Sequence, residues 1–230
     1  MATFKTLLVG RYMAGRWAGF HSLGYLLGVA LLGWGVSDLR GFFSHPVRLS
    51  FAGVVIVYGL VQFFLVIRFP ARVRLEILLE NEHWHYTLTQ LISILAAYGD
   101  KRDVVTWMEN PTMRWAGIGV IGLAAIYSTW ANWTWVSHVQ HAGESAQPDP
   151  ALISDGPFRW TRYPILLILF LYASGIALIF RSWMGMILLV PLVGIIAKRL
   201  HYWEKSYPEH YGKKWALRCQ TSKRVIPFLY

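Results

Sequence analysis

Two polar clusters in the last third of the sequence hold the residue types that bind a charged small molecule. The first covers residues 156–164, Gly-Pro-Phe-Arg-Trp-Thr-Arg-Tyr-Pro, and the second runs from 198 to 227. A carboxylate such as Glu204 can hold an amino group or hydroxyls, and arginines can hold a carboxylate in fork geometry. The stretch between the clusters is apolar except near residues 181–183. If it folds as a helical hairpin, both clusters return to one membrane face and can line one pocket.

The order and spacing of these residues resemble those of the isoprenylcysteine carboxyl methyltransferases and the related phospholipid N-methyltransferases. That family's pattern is Gly-Pro-Tyr-Arg, two residues, Arg-His-Pro, a helical hairpin, an Arg with a Glu-Glu pair, an aromatic-Gly-x-x-aromatic step and Arg-x-Ile-Pro. The matching positions are Gly156, Pro157, Arg159, Arg162, Pro164, Arg199, Glu204, Tyr211, Gly212, Trp215, Arg224, Ile226 and Pro227. The resemblance covers residues 156–230 and says nothing about residues 1–150.

The resemblance implies S-adenosylmethionine as the cofactor and a methyl transfer to a lipophilic carboxylate, thiol or amine. Methyl transfer needs positioning more than acid–base help when the nucleophile is already deprotonated. The resemblance leaves the catalytic residues unassigned. The residues that it places at the cofactor are Pro157, Arg159, Tyr163, Pro164, Arg199, Glu204, Tyr211 and Arg224.

Three departures from the family pattern bear on activity. Tyr163 stands where the family has His, and Trp203 stands where it has the first Glu of the pair. Leu166 and Ile168 replace a Tyr and a Gly. Relative to the family, the site would lack an imidazole and one carboxylate, so activity could be changed or lost.

Plainer interpretations stand beside the cofactor roles of the second cluster. Glu204 could pair with Arg199 or Lys205 on the surface of a helix. Tyr211 and Trp215 lie four residues apart on one helical face, where they could wall an adenine pocket or pack the segment on the membrane.

The first cluster also has plainer interpretations. Arg159 and Arg162 could simply flank the end of a membrane span, and Arg162 could bind a lipid phosphate. Tyr163 could be an interfacial anchor instead of a cofactor ligand. Pro157 and Pro164 shape the backbone, and Pro164 suits the first turn of a helix, whose free amides could receive a cofactor carboxylate.

The composition indicates an integral membrane protein. The chain of 230 residues is 55% hydrophobic and only 15% charged, and it has twelve Trp and twelve Tyr, which favour membrane interfaces. The net charge of +10 lies mostly at the ends of apolar runs, so we expect no nucleic-acid partner. Cys219 is alone, which excludes an intrachain disulfide.

The apolar runs predict an all-α protein of about six membrane spans in a single domain, residues 1–230. The predicted spans are residues 17–36, 49–67, 83–98, 115–136, 165–180 and 183–196. The run 83–98 is marginal and could lie along the membrane surface, which would leave five spans. Six spans put most Lys and Arg residues on the side of both termini, so the positive-inside rule predicts cytoplasmic termini. A helical tail, residues 198–230, would then close the pocket on the cytoplasmic face.

Two other functions remain open at this point. The departures at Tyr163 and Trp203 allow a non-catalytic membrane protein of the same fold. Two histidine pairs, His83 with His85 and His138 with His141, allow a metal-dependent membrane oxidoreductase, although we expect no metal site because such enzymes use denser runs of histidine.

Overall fold

Helices make up nearly all of the computed structural model, which describes residues 22–67, 84–142 and 152–224. These residues contain no β-strand, only two isolated bridges, so the all-α prediction is confirmed for them. The main helices are α1 (Ser22–Ser44), α2 (Pro46–Ile67), α3 (Trp84–Arg102), α4 (Pro111–Ala142), α5 (Pro164–Ile179), α6 (Trp183–Tyr211) and α7 (Lys213–Thr221).

The first helix changes its winding along its length. Gly28–Gly35 is π-helical, Val36–Asp38 is a 3₁₀ turn, and Leu39–Ser44 closes α1 as an α-helix. Gly33 sits against α3, where a Cβ would lie 2.8 Å from both the Ala97 Cβ and the Ile94 carbonyl oxygen. The bare glycine therefore lets α1 approach α3 closely.

A second close approach joins α4 and α5. A Cβ on Gly117 would lie 2.7 Å from the Gly175 carbonyl oxygen, and a Cβ on Gly175 would lie 2.6 Å from Ile121 Cγ1. Small residues at such a crossing let helices gain van der Waals contact without a hydrophobic driving force between them. The crossing holds α5, and with it the residues that precede α5, against α4.

Three helices among the described residues are long and apolar enough to cross a membrane. They are Ser22–Ser44, Pro46–Leu65 and Trp183–Glu209, and Pro164–Ile179 is apolar but shorter. The marginal run 83–98 forms part of α3, which packs against α1, α5 and α6 and buries Ile92. Six spans and cytoplasmic termini stay predictions.

Two helices run further than the apolar runs suggested. The polar composition of residues 138–155, with prolines at 148 and 150, predicts a loop over that whole segment, but helix α4 continues to Ala142. Helix α6 continues to Tyr211, so Glu204 lies on the same helix as the apolar segment that begins at Trp183. The predicted cytoplasmic helix at residues 70–82 lies outside the described residues.

A buried charge network ties together the short connections at one end of the bundle. The Asp100 carboxylate, whose side chain is 1% exposed, pairs with Arg114 at 2.8 Å, Arg181 at 2.9 Å and Arg48 at 3.4 Å. Glu109 also pairs with Arg114, at 2.6 Å. These residues come from α2, α3, α4 and the connections around them, so one carboxylate anchors several helices.

Candidate functional site

The site is built where the chain enters α5, at the opposite end of the bundle from Asp100. Gly156–Arg159 forms a 3₁₀ helix that buries Pro157 and Phe158. Gly156 has a φ of 53°, and a Cβ there would lie 2.4 Å from the Thr134 Oγ1 of α4. Glycine is therefore required at the first position of the Gly-Pro-Phe-Arg motif, both for its backbone conformation and for its contact with α4.

The segment after this 3₁₀ helix pairs with residues that follow α7. The Arg162 amide donates to the Lys223 carbonyl oxygen at 2.8 Å, and the Lys223 amide donates to the Trp160 carbonyl oxygen at 3.0 Å. The Tyr163 amide donates to the Arg224 carbonyl oxygen at 3.2 Å. Residues 160–163 and 223–224 thus form a short parallel pairing that fixes the positions of the Arg162 and Tyr163 side chains.

The buried Arg218 of α7 reinforces this pairing. Its guanidinium donates to the Phe158 carbonyl oxygen, and the Ser222 hydroxyl donates to the Arg218 carbonyl oxygen at 2.8 Å. Burial and the nearby charge of Arg162 lower the pKa of Arg218. The bond to Phe158 links α7 directly to the 3₁₀ helix.

An ion cluster around Glu204 joins the two polar clusters of the sequence. Arg162, which is 6% exposed, donates to Glu204 Oε1 from Nε at 3.1 Å and to the Ser222 carbonyl oxygen from Nη1 at 2.6 Å. Arg224 pairs with Glu204 Oε2 at 3.7 Å, which is longer than a hydrogen bond. Glu204 Oε1 is therefore engaged by Arg162, whereas Oε2 keeps capacity for another donor.

An aromatic block lies beside this cluster. Tyr163 stacks on Trp203, with ring centroids 5.2 Å apart and planes 21° apart, and on Tyr207, with centroids 6.4 Å apart. Tyr207 in turn meets Trp215 edge-on at 5.0 Å and Tyr211 at 5.5 Å. The block packs α6 and α7 against the residue that precedes α5.

The Tyr163 hydroxyl is buried and makes no hydrogen bond with the described residues. Burial raises the pKa of this hydroxyl well above its usual range, and the negative charge of Glu204 raises it further. A buried polar group without a partner is costly, and it is uncommon in native proteins. It marks a position where a ligand group or water can complete the hydrogen bonding.

The structure brings together four of the residues predicted to bind the cofactor. The ion cluster contains Glu204 and Arg224, and the aromatic block beside it contains Tyr163 and Tyr211. Pro164 is buried as the first residue of α5.

Three further predicted residues lie apart from this group or cannot be placed in it. Pro157 is buried on the 3₁₀ helix before the pairing segment, and the Arg159 side chain is exposed to solvent. The side chain of Arg199 lies outside the described part of the chain, so its cofactor role stays a prediction.

Several residues of the site carried less weight in the sequence analysis. The position of Arg162 in the sequence allows a span-end or lipid-binding role, yet Arg162 is the buried partner of Glu204. Tyr207 and Arg218 do not belong to the family pattern. One signal was present in the sequence: Trp203, Tyr207, Tyr211 and Trp215 recur every four residues, which is the spacing of one helical face.

No group of three metal-binding side chains occurs among the described residues. His138 contacts the Thr134 carbonyl oxygen at 3.0 Å and lies 3.1 Å from an Asp155 carboxylate oxygen. The first contact lies within α4 and the second joins α4 to the connection that follows it. The side chains of His83, His85 and His141 lie outside the description.

Comparison with known proteins identifies a family for the part of the chain that forms this site. Residues 112–214 match the model of the phospholipid methyltransferase family. The match runs from the start of α4 to the start of α7, and it confirms the resemblance to this group of membrane methyltransferases. No curated protein and no solved structure matches the chain. The family supports an enzyme that transfers methyl groups and acts on lipid-related molecules.

Proposed function

We propose that this protein transfers a methyl group from S-adenosylmethionine to a lipophilic acceptor at the cytoplasmic face of a membrane. The observation that carries the proposal is the family match over residues 112–214, because it contains Glu204, its buried partner Arg162 and most of the aromatic block. The acceptor atom can be a carboxylate oxygen, a thiol sulfur or an amine nitrogen.

The groups at the site suit the chemical groups of this cofactor. Glu204 Oε2 and the unpaired Tyr163 hydroxyl can receive and donate hydrogen bonds beside each other. Arg224, whose side chain is 41% exposed, can turn to a carboxylate, and Tyr211 offers aromatic surface to an adenine. When bound, S-adenosylmethionine supplies a methyl group on a positively charged sulfur.

Arg162 acts on the site by holding Glu204 in place. Its guanidinium is bound on two sides, to Glu204 Oε1 and to the Ser222 carbonyl oxygen, and it is almost fully buried. A carboxylate fixed in this way meets its ligand without reorganising, which is the positioning that methyl transfer requires. We assign Glu204 to the amino group or ribose hydroxyls of the cofactor and Arg162 to the support of Glu204.

The position of the site along α6 suits an acceptor that arrives from the bilayer. Glu204 follows Trp183 by twenty-one residues on one helix, which corresponds to roughly 30 Å along the helix axis, about the thickness of a bilayer core. The site then lies at the membrane interface opposite the Asp100 network. A lipophilic acceptor can reach it sideways while its tail stays in the membrane.

The test begins with calorimetry of the purified full-length chain in detergent, titrated with S-adenosylhomocysteine. We expect saturable binding, and transfer of labelled methyl groups from S-adenosylmethionine into an organic-solvent extract of membranes. Base-labile product would identify a carboxylate acceptor, and base-stable product a thiol or amine. Absence of binding and of methyl transfer would overturn the proposal.

A non-catalytic membrane protein of the same fold is the second candidate. It is favoured by the stacking of Tyr163 on Trp203, because the two departures from the family pattern contact each other and fill the corner with aromatic rings. The calorimetric titration separates the two candidates, since a protein that has lost its cofactor will not bind S-adenosylhomocysteine.

A further inference from the structure

Trp203 and Tyr163 form one structural unit across two segments of the chain. Their ring centroids are 5.2 Å apart with planes 21° apart, and Tyr163 is 4% exposed. Stacked aromatic rings attract each other beyond the effect of the area that they bury. The Trp203 ring therefore helps to set the orientation of the Tyr163 ring.

The same unit places a hydroxyl beside the Glu204 carboxylate. Trp203 immediately precedes Glu204, so one helix, α6, carries both the ring that stacks on Tyr163 and the carboxylate that pairs with Arg162. The hydroxyl makes no hydrogen bond of acceptable geometry with the described residues, while Glu204 Oε2 lies 3.7 Å from Arg224 Nε. A tyrosine held only for packing has no need to bury an unsatisfied hydroxyl there.

We propose that Trp203 is a positioning residue, which acts on the cofactor solely by orienting the Tyr163 hydroxyl toward it. This inference rests on the proposed function. Trp203 stands where the family has a carboxylate, and this role differs from the role that a carboxylate would have there. Once the Tyr163 hydroxyl is removed, a change at Trp203 should therefore have no further effect on cofactor affinity.

The experiment is a double-mutant cycle, read by calorimetry with S-adenosylhomocysteine on the full-length chain in detergent. The variants are Tyr163→Phe, Trp203→Leu and the two combined, with Trp203→Phe as a rescue that keeps an aromatic ring. Trp183→Leu is the control, because Trp183 makes an aromatic contact at a similar distance, edge-on to Trp107 with ring centroids 5.4 Å apart, at the other end of the bundle.

We expect Tyr163→Phe and Trp203→Leu each to weaken binding about three- to tenfold, the loss of one neutral hydrogen bond. The combined variant should bind no more weakly than Tyr163→Phe alone. Trp203→Phe and Trp183→Leu should bind like the natural protein. The melting temperature, measured in parallel, should fall for Trp203→Leu in both backgrounds, because packing is lost whether or not the hydroxyl is present.

Other results overturn the inference. Additive losses of affinity in the combined variant would mean that Trp203 acts without the hydroxyl, as would full affinity in Trp203→Leu. If Trp203→Leu does not fold, Trp203→Met keeps most of the volume without the aromatic ring and carries the same expectations. Failure of the natural protein to bind S-adenosylhomocysteine would overturn the proposed function and this inference with it, whereas additivity with normal binding would overturn the inference alone.

Discussion

Replacing Glu204 with glutamine tests both the stability of the ion cluster and its part in cofactor binding. The change removes the negative charge that pairs with Arg162 and Arg224 but keeps an oxygen that can accept a hydrogen bond. Arg162 stays buried and keeps its 2.6 Å bond to the Ser222 carbonyl oxygen. The loss is therefore that of a charge-assisted hydrogen bond, about 1.5–3 kcal/mol, and less than the cost of a wholly unpaired buried charge.

Two measurements follow from this estimate. For a chain of this size each kcal/mol lowers the melting temperature by about 2–4 °C, so thermal unfolding followed by tryptophan fluorescence should show a drop of about 3–12 °C. Affinity for S-adenosylhomocysteine should fall roughly ten- to a hundredfold, because a charged hydrogen bond to the ligand is lost as well. The control is Glu209→Gln, an exposed carboxylate on the same helix, which should leave both quantities unchanged.

The two measurements separate three outcomes. A lower melting temperature with unchanged affinity would make Glu204 a structural residue and refute its cofactor role. Unchanged values of both would refute the ion cluster itself and return Glu204 to a surface carboxylate. Loss of both, with Glu209→Gln unaffected, is the result that the geometry requires.

Three further predictions concern other parts of the structure. Asp100→Asn should lower the free energy of unfolding by about 3–5 kcal/mol, because it leaves three arginines around a buried neutral group, whereas Asp103→Asn should leave it nearly unchanged, since Asp103 is 78% exposed; equal losses in chemical unfolding would contradict the network. Gly156→Ala should lower the free energy of unfolding by about 1–3 kcal/mol more than Gly212→Ala does. Both glycines have a positive φ, but only at Gly156 would a Cβ contact Thr134. Similar unfolding midpoints for the two variants would contradict this contact. The raised pKa of Tyr163 means that the folded protein holds the hydroxyl proton more tightly than the unfolded chain does. The stability that this difference contributes is complete below about pH 10, the usual pKa of tyrosine, and is lost as the pH rises above that value. The stability of the natural protein relative to Tyr163→Phe should then fall by about 1.4 kcal/mol per pH unit above pH 10, and a difference independent of pH would show that Tyr163 is not buried.

The sequence was sufficient to predict an all-α protein and the bounds of several helices. Long apolar runs with few breakers can only be helices in a bilayer, which is why α2, α5 and the first part of α6 lie close to their predicted bounds. The extent of α6 was missed for the same reason: hydropathy ends near residue 196, but helical hydrogen bonding continues through polar residues to Tyr211. A hydropathy boundary marks the edge of a membrane and does not mark the end of a helix.

The partners within the site were harder to predict because they depend on long-range contacts. Arg162 and Glu204 lie 42 residues apart, and several arginines were equally plausible partners for the one carboxylate. The backbone pairing of residues 160–163 with 223–224 has no signal in residue types, since it uses amides and carbonyls that every residue has. The stacking of Tyr163 on Trp203 likewise emerges only once α5 and α6 are packed.

The hydrogen bond between Arg162 and Ser222 can form only late in the synthesis of this protein. The carbonyl oxygen that accepts from Arg162 belongs to Ser222, which the ribosome adds sixty residues later. Helices α5 and α6 are therefore synthesised, and can enter the membrane, while the segment before α5 still lacks its backbone partners. The candidate site is the last part of the described chain to assemble, and a nascent protein halted at the end of α6 would have the apolar helices α5 and α6 complete but would lack the backbone partners of Arg162 and Tyr163.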